Sequence, residues 1–527
     1  MQKVSSPVNI SLLEKELANH PDREFVEFLS EGFHFGFDIG YYGPDRSKVS
    51  RNLQSARDNP EVVDTYLQDE IRKGRIMGPF DSPPFENFQC QPIGIVPKKV
   101  PGKFRTIMDL SYPEGSSVND FINKEEFSLK YVTVDKAIEY ILQLGQGCFL
   151  SKVDIEGAFR IIPICPENFR LLGILWKEKY YYDTRLSMGG RSSPALFDRL
   201  SEALEWLAAR KYGVDYICHL LDDFLVAELP GKKGESLNII LELFQRLGIP
   251  IAQHKVEGPS QKLEFLGITL DTVKLEASLS DEKVHRLIGG IESFLARKKC
   301  SKRELLSLIG SLSFACKVVA PGRIFLHRLI TLSCTVRKLH YKVYINQNTR
   351  EDLKMWLDFL KSWNGKSFFL ERELSLASDL KFFTDASSTI GYGGCFGRQW
   401  FCDRWDEDDV MPSMAARELY PIVLSAIFWG QAWGSKRIQV FCDNEGTVAL
   451  INKGYSSDKI IAKMLRCLTL QCMTNNFNIR ATHIPGKKNV KADLISRLQL
   501  VRFRKMFPDM DSEPIKVTAA VKNLIGL

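Results

Sequence analysis

The segment YICHLLDDFLVAEL sets two adjacent aspartates, Asp222 and Asp223, inside an otherwise apolar double run, with no Lys or Arg close by in sequence. Like charges side by side in an apolar setting cost several kcal/mol unless a cation compensates them. Two strands meeting at a tight turn would place both carboxylates at its tip, and for an isolated Asp-Asp pair a solvated hairpin turn is the simpler reading. A second feature bears on it: GCFLSKVDIEGAFRIIPI is a buried-type strand ending in Asp154, which alone reads as a turn or helix cap. Three carboxylates converging from two strand ends make the oxygen-rich site that Mg²⁺ favours. Two such ions ~3.5–4 Å apart clamp the attacking and leaving oxygens of an in-line phosphoryl transfer.

The chain around these acids is long and ordinary in make-up. Its 527 residues suffice for roughly three or four domains. With 44% apolar and 26% charged residues it is neither disordered nor fibrous. It has no uncharged apolar run of ~18–20 residues, and MQKVSSPVNISLLEKEL lacks the apolar centre of a signal peptide. No membrane partner is expected. An intracellular location is, with nucleus and cytoplasm both left open. The twelve cysteines form no CxxC pair and no His pair stands at zinc-ligand spacing, so a reduced compartment without structural zinc follows. The net charge of +7 says little, but residues 296–342 hold eleven Lys/Arg against one acid, Glu304. Such a cationic stretch suits a phosphate backbone, and a solvated helical face is the alternative.

Patterning gives the organisation. SLLEKELANH and EVVDTYLQDEIRKG are helical in period, and the prolines of DSPPFENFQCQP interrupt regular structure. From 91 to 275 short β-type runs (IGIVPKK, FRTIMDL, FLSKVDI, YYYDTRL, FLVAEL) alternate with helices such as SPALFDRLSEALEWLAARKYG and ESLNIILELFQRLG. Residues 280–360 read as almost wholly helical. A second mixed region begins near 378 with the hairpin DLKFFTDASSTIGYGGCFGRQWFCD, then a helix AARELYPIVLSAIFWGQAW, strands RIQVFCD and FNIRATHI, and a last helix.

In the order FRTIMDLSYPEGSSVND, KVDIEGAF, RLSMGGRSSPALF, LLDDF, LGIPIAQHK and LEFLGITLD, the sequence resembles the fingers and palm motifs of reverse transcriptases. RNLQSARDNPEVV, GPFDSPPFENFQCQPIGIVPKK and LSEALEWL are similar to DIRS-like retrotransposons, the tyrosine-recombinase class, so the resemblance covers about residues 40 to 500. It implies an α+β multidomain chain: a right-hand polymerase of fingers, palm and helical thumb/connection, followed by a ribonuclease H-like α/β domain. The implied boundaries are 1–90 (lead-in and start of the fingers), 91–275 (fingers and palm), 276–370 (thumb/connection), 371–500 (ribonuclease H-like) and 501–527 (tail).

The resemblance also implies roles. Asp154, Asp222 and Asp223 hold two Mg²⁺, with Mn²⁺ as a substitute. Phe159 is the steric gate against a ribose 2′-OH, its alternative being a core aromatic. Lys98 and Arg105 hold the dNTP triphosphate, as point charge and bidentate fork. Lys255 protonates the pyrophosphate, its alternative being a surface Lys. Gly267, in the Leu263–Asp271 primer-grip hairpin, lets backbone approach the primer. Two departures stand out: Leu220 and Leu221 replace the usual aromatic, and Ser187 and Met188 stand where Pro and Gln or Phe are usual. Met188 is expected against template or nucleotide, with Gly189 keeping the tight turn.

Downstream, Asp385, Glu418, Asp443 and Asp493 stand in the order of the ribonuclease H constellation, with His483 in the place of its mobile, product-releasing residue. Any one of these acids alone is an ordinary cap or surface residue. Two Mg²⁺ with their waters require such a set for phosphodiester hydrolysis. The implied partners are an RNA template, a DNA primer, their hybrid and dNTPs, with Lys487, Lys488 and Lys491 adding hybrid contacts. A decayed or domesticated relic that binds nucleic acid without catalysis is the alternative, but all seven carboxylates are present. An Arg…His-x-x-Arg…Tyr arrangement is absent from the sequence, so strand exchange is expected from another chain, a separate tyrosine recombinase, or from a part of the element outside this sequence.

Overall fold

The apolar, β-branched runs that flank the acidic pair condense into one four-stranded antiparallel sheet. In this computed structural model, which describes residues 3–98, 102, 104–369, 374–376, 382–406 and 411–525, its order is Glu257–Ser260, Phe149–Asp154, Asp223–Glu228, Ile217–Leu220. Leu150, Val153, Phe224, Leu225 and Val226 are buried, as befits central strands covered by helices. Ser193–Arg210 is one of those helices. Pro194 sits in its first turn, where the missing N–H is not needed, and Leu196, Phe197, Leu200, Leu204 and Leu207 form its buried stripe.

The chain forms two compact units, Met1–Leu263 and Glu264–Leu527. In the first, the segment 1–90 is more than a lead-in. Lys48–Val49, Ile76–Phe80 and Gln89–Cys90 are three of the five strands of a mixed sheet completed by Gly173–Trp176 and Lys179–Asp183. Leu13, Phe33 and Val63 belong to the same core as Val153 and Phe224. The prolines confine irregular chain to the stretch before Gln89. A buried ion cluster adds to this union: Arg160 Nη1 lies 2.6 Å from Asp183, and its Nη2 2.7 Å from Glu70. Removing one member of such a cluster costs ~3–5 kcal/mol.

In the second unit, Ile268–Asp271, Glu276–Ser278 and Lys366–Phe368 form an antiparallel sheet. Helices Asp281–Leu295 and Lys302–Ala315 follow, the latter opened by a capping box of Ser301 and Glu304. The stretch 280–360 is not wholly helical, because Lys299–Ser301 pairs antiparallel with Lys342–Tyr344. Cys300 and Val343 point inward while Lys299 and Tyr344 face out; three residues of period two are too few to register in sequence. The expected boundary at 370/371 lies outside the described residues, as do Lys99 and residues 379–381.

The second mixed region carries an antiparallel set, Phe382–Ala386, Gly391–Phe396 and Gln399–Arg404, and a parallel set, Leu374–Leu376, Arg437–Cys442 and Asn478–His483. Helices Met414–Trp429 and Lys459–Thr474 contribute Leu419, Val423, Met464 and Leu468 to its core. The expected tail is folded onto it: Ile525 joins that core, and Ile515 N–H donates to the Trp400 carbonyl at 2.8 Å. Among the described residues no helix is long and apolar enough to cross a membrane.

Candidate active sites

Strand register builds the first site. Asp223 stands directly opposite Asp154 on the neighbouring strand and opposite Leu220 on the other, leaving Leu221 and Asp222 as a two-residue turn. Leu221 has φ +55°, the left-handed region that a two-residue hairpin requires and that glycine usually fills. Backbone bonds fix the surroundings: Ile155 N–H donates to the Asp222 carbonyl at 3.1 Å and Ala252 N–H to that of Asp154 at 2.9 Å. The structure therefore brings Asp154, Asp222 and Asp223 together at one end of the sheet.

Their electrostatics is that of acids short of cations. Burial raises the pKa of Asp223 to about 6, with Asp222 and Asp154 adding to it. Burial also raises that of Asp222, Asp154 adds to the rise, and Lys255 and Arg105 oppose it. Lys255, on the short turn Gln253–Lys255, reaches both carboxylate oxygens of Asp154 at 2.8 Å, and that bond raises its own pKa. An all-carboxylate donor set with a single lysine bonded to it fits a hard divalent cation.

The other expected residues fall around this centre. Arg105 lies on Phe104–Met108, which pairs with Ile93–Pro97, and is near enough to act on Asp222. Lys98 is exposed just past the end of Ile93–Pro97, and no described contact joins it to the acids. Phe159, on the turn Ala158–Ile161, is half-buried and packs edge-on against Phe197 with centroids 5.6 Å apart. Met188 is exposed. Gly267, with φ +79°, belongs to the second unit, where its carbonyl accepts from Lys283 and Phe314 lies close by.

Gly189 sits so close to the fingers hairpin that a Cβ would lie 2.1 Å from the Met108 carbonyl oxygen. Asn119, which sequence reading missed, staples the same loop. Its amide donates to Ser111 Oγ and the Gly189 carbonyl, both at 2.9 Å, and its Oδ1 accepts from Arg191 N–H at 2.8 Å. Gly189→Ala is expected to displace this loop and destabilise the protein by ~1–3 kcal/mol, the usual cost of overpacking; denaturant unfolding measures it, and an unchanged midpoint would show that the loop yields without strain.

The second set of acids also converges. Asp385 ends Phe382–Ala386, Glu418 lies on Met414–Trp429, Asp443 follows Arg437–Cys442, and Asp493 lies on Val490–Ser496. Burial raises Glu418 to about 9, with Asp385 and Asp443 adding to it. Burial raises Asp385 to about 6, with Asp443 and Asp493 adding and a Ser496 hydroxyl opposing. Asp443 and Asp493 are half-buried, and Asp493 is paired with Arg497 at 2.6 Å. His483 Nε2 stands 3.2 Å from the Asp443 carbonyl. Ligand atoms of Glu418, Asp443 and Cys442 lie within 4.8 Å of one another. Ser496 and Arg497 follow Asp493 by three and four residues, so helical spacing in KADLISR was the signal available for both.

The reverse transcriptase (RNA-dependent DNA polymerase) family matches residues 96–270. The chain is 29% identical over 201 residues to the Pro-Pol polyprotein of simian foamy virus type 1, covering 36% of this chain and 16% of that protein. It is 22% identical over 474 residues to the retrovirus-related Pol polyprotein from transposon opus of Drosophila melanogaster, covering 85% and 43%. The chain thus spans less than half the length of these relatives. Among solved structures it resembles the foamy viral protease–reverse transcriptase dRH in complex with double-stranded DNA, with TM-score 0.51 and 15% identity over 92% of this chain and 83% of that one. Residues 96–270 thus match the reverse transcriptase family by sequence, and the fold agrees with that match.

Proposed function

We propose that the chain is an RNA-directed DNA polymerase with ribonuclease H activity, encoded by a DIRS-like retrotransposon. The observation that carries the polymerase reading is the register that sets Asp154 opposite Asp223 with Asp222 in the turn between. Mg²⁺ held by these three carboxylates would supply the charge that activates a primer 3′-OH and neutralises the α-phosphate. The chain's own residues do the rest. Arg105 and Lys98 bind the triphosphate, and the Asn119-stapled loop bearing Met188 and Gly189 orients the base pair. Lys255, bonded to Asp154 here, is placed to pass a proton to the pyrophosphate once a metal relieves it. Phe159 excludes a 2′-OH. Phe159→Ala is expected to weaken discrimination against rNTPs by roughly a hundredfold, ~3 kcal/mol. Competitive incorporation measures it, and undiminished exclusion would take the gate from that ring.

The ribonuclease reading rests on the convergence of Asp385, Glu418, Asp443 and Asp493, where burial and the neighbouring acids raise Asp385 and Glu418. The DIRS-like assignment rests on the sequence motifs, and strand exchange by a separate recombinase goes with it. The duplex is gripped by the groove of about 920 Å³ between Asp281–Leu295 and Lys302–Ala315, where Gly290, Gly310 and Ser311 leave room and Arg286, Arg297 and Arg303 line the sides. Not all the nearby cations serve it: Arg328 pairs with buried Asp352, Lys302 is bonded to the Val336 carbonyl, and of the lining arginines Arg286 pairs with Glu282 at 2.7 Å and Arg297 with Glu304 at 2.8 Å on the exposed side. The test is extension of a DNA primer on an RNA template with and without Mg²⁺, on a gel that also resolves template cleavage. Absence of Mg²⁺-dependent extension would overturn the proposal.

A further inference from the structure

The hairpin bearing Asp222 and Asp223 is held by more than its own ladder. Asp198, Ser201 and Glu205 share one face of helix Ser193–Arg210, three and four residues apart, and that face meets the hairpin. His219 Nε2 lies 3.3 Å from Asp198 Oδ1, its Nδ1 is bonded to Glu205 Oε2, and Ser201 Oγ donates to the Leu221 carbonyl at 2.8 Å. The His219 and Asp198 side chains are only 11% and 15% exposed. A ring with a carboxylate on each nitrogen is satisfied only as imidazolium, since the neutral form turns a lone pair on one acid. Burial pulls its pKa down, the bonds to Asp198 and Glu205 outweigh burial, and the result is about 9. Lys136, Glu139 and Tyr140 on Val134–Leu144 are the other titratable groups acting on this corner, through Cys218 and Glu205. The opposite placement of the two acids on the ring prevents them from converging on one metal ion.

This clamp has a mechanical reason. Ile217–Leu220 is an edge strand, and a non-glycine residue at φ +55° persists only where its surroundings over-determine it. We propose that His219, as an imidazolium between Asp198 and Glu205, is a positioning residue that fixes the Leu220–Asp223 turn, and with it two of the three carboxylates, for phosphoryl transfer. The proposal rests on the polymerase reading and adds to it a second layer of support under the acids.

His219→Gln keeps hydrogen-bonding capacity and loses the charge; Ser201→Ala removes the independent bond to Leu221. Each is expected to lower kcat for primer extension at least tenfold, with KM for dNTP and affinity for the primer–template hybrid within about twofold and the burst amplitude intact. An unchanged kcat in both, or a loss confined to KM, would overturn the proposal, and Ser201→Ala decides should His219→Gln not fold. Selective histidine labelling in the full chain gives a readout independent of activity. The resonance missing from His219→Gln should stay protonated to about pH 9, and ordinary titration near ~6.5 would overturn the clamp. Wild-type protein that extends no primer would defeat the polymerase reading instead, while the histidine titration would still decide the clamp.

Discussion

Asp222→Asn is expected to cut Mg²⁺-dependent primer extension by about a thousandfold or more, ~4 kcal/mol of barrier, while hybrid binding persists. Asn tolerates the turn position, so the hairpin is retained and what disappears is one anionic oxygen from the donor set. The same substitution should raise the thermal stability of the protein in EDTA. The folded pKa values of Asp222 and Asp223 lie above the unfolded ones because burial and neighbouring acids oppose ionisation. For Asp223, between the unfolded value and about 6 the folded state holds more protons, so it lowers stability as pH rises through that window and its full penalty stands at pH 7; Asp222 acts in the same direction. Neutralising one acid relieves it; Mg²⁺ relieves it in the wild type. A variant that extends primers at the wild-type rate, or is no more stable than wild type in EDTA, would mean that these carboxylates are neither metal ligands nor mutually repelling.

What was legible in the sequence was chemistry out of place. Asp222 and Asp223 interrupt an apolar run, which marks them out, but the pattern left a solvated turn open, and their grouping with Asp154 came from the order of motifs that resembles reverse transcriptases. Asn119 gave no such signal. A polar residue in a polar loop looks the same whether it faces water or staples Gly189 to Ser111. Nor did the helix face of Asp198, Ser201 and Glu205, whose meaning depends on what the opposing strand presents. The cationic stretch misled in part because sequence counts charges without partners: Arg328 faces Asp352, itself raised to about 7 by burial, and Arg466 reaches the same carboxylate at 2.9 Å from Lys459–Thr474. The ribbon at Lys299–Ser301 was hidden by its length, and the place of 1–90 in the first core by strands whose partners lie far along the chain, as Ile76 pairs with Asp183 and Cys90 with Gly173.

Glu418 carries the other large prediction because its effects on chemistry and on stability have opposite signs. Glu418→Gln is expected to reduce cleavage of the RNA strand of a hybrid by about a hundredfold or more and to leave primer extension intact, since Asp154, Asp222 and Asp223 lie in the other unit. Burial, Asp385 and Asp443 hold the Glu418 pKa at about 9, so at pH 7 the folded protein keeps a proton that the unfolded chain has released. That difference lowers stability by ~3 kcal/mol at pH 7 and diminishes as pH falls toward the unfolded pKa. Gln reproduces the neutral acid without the proton, so the variant should unfold at higher temperature than wild type in EDTA, and the gap should narrow at pH 5. Mg²⁺ should narrow it too, because the wild type alone gains an ionised ligand on binding. Retained cleavage would remove Glu418 from the nuclease site, whereas lost cleavage without a pH-dependent gain in stability would show a carboxylate already ionised in the folded protein.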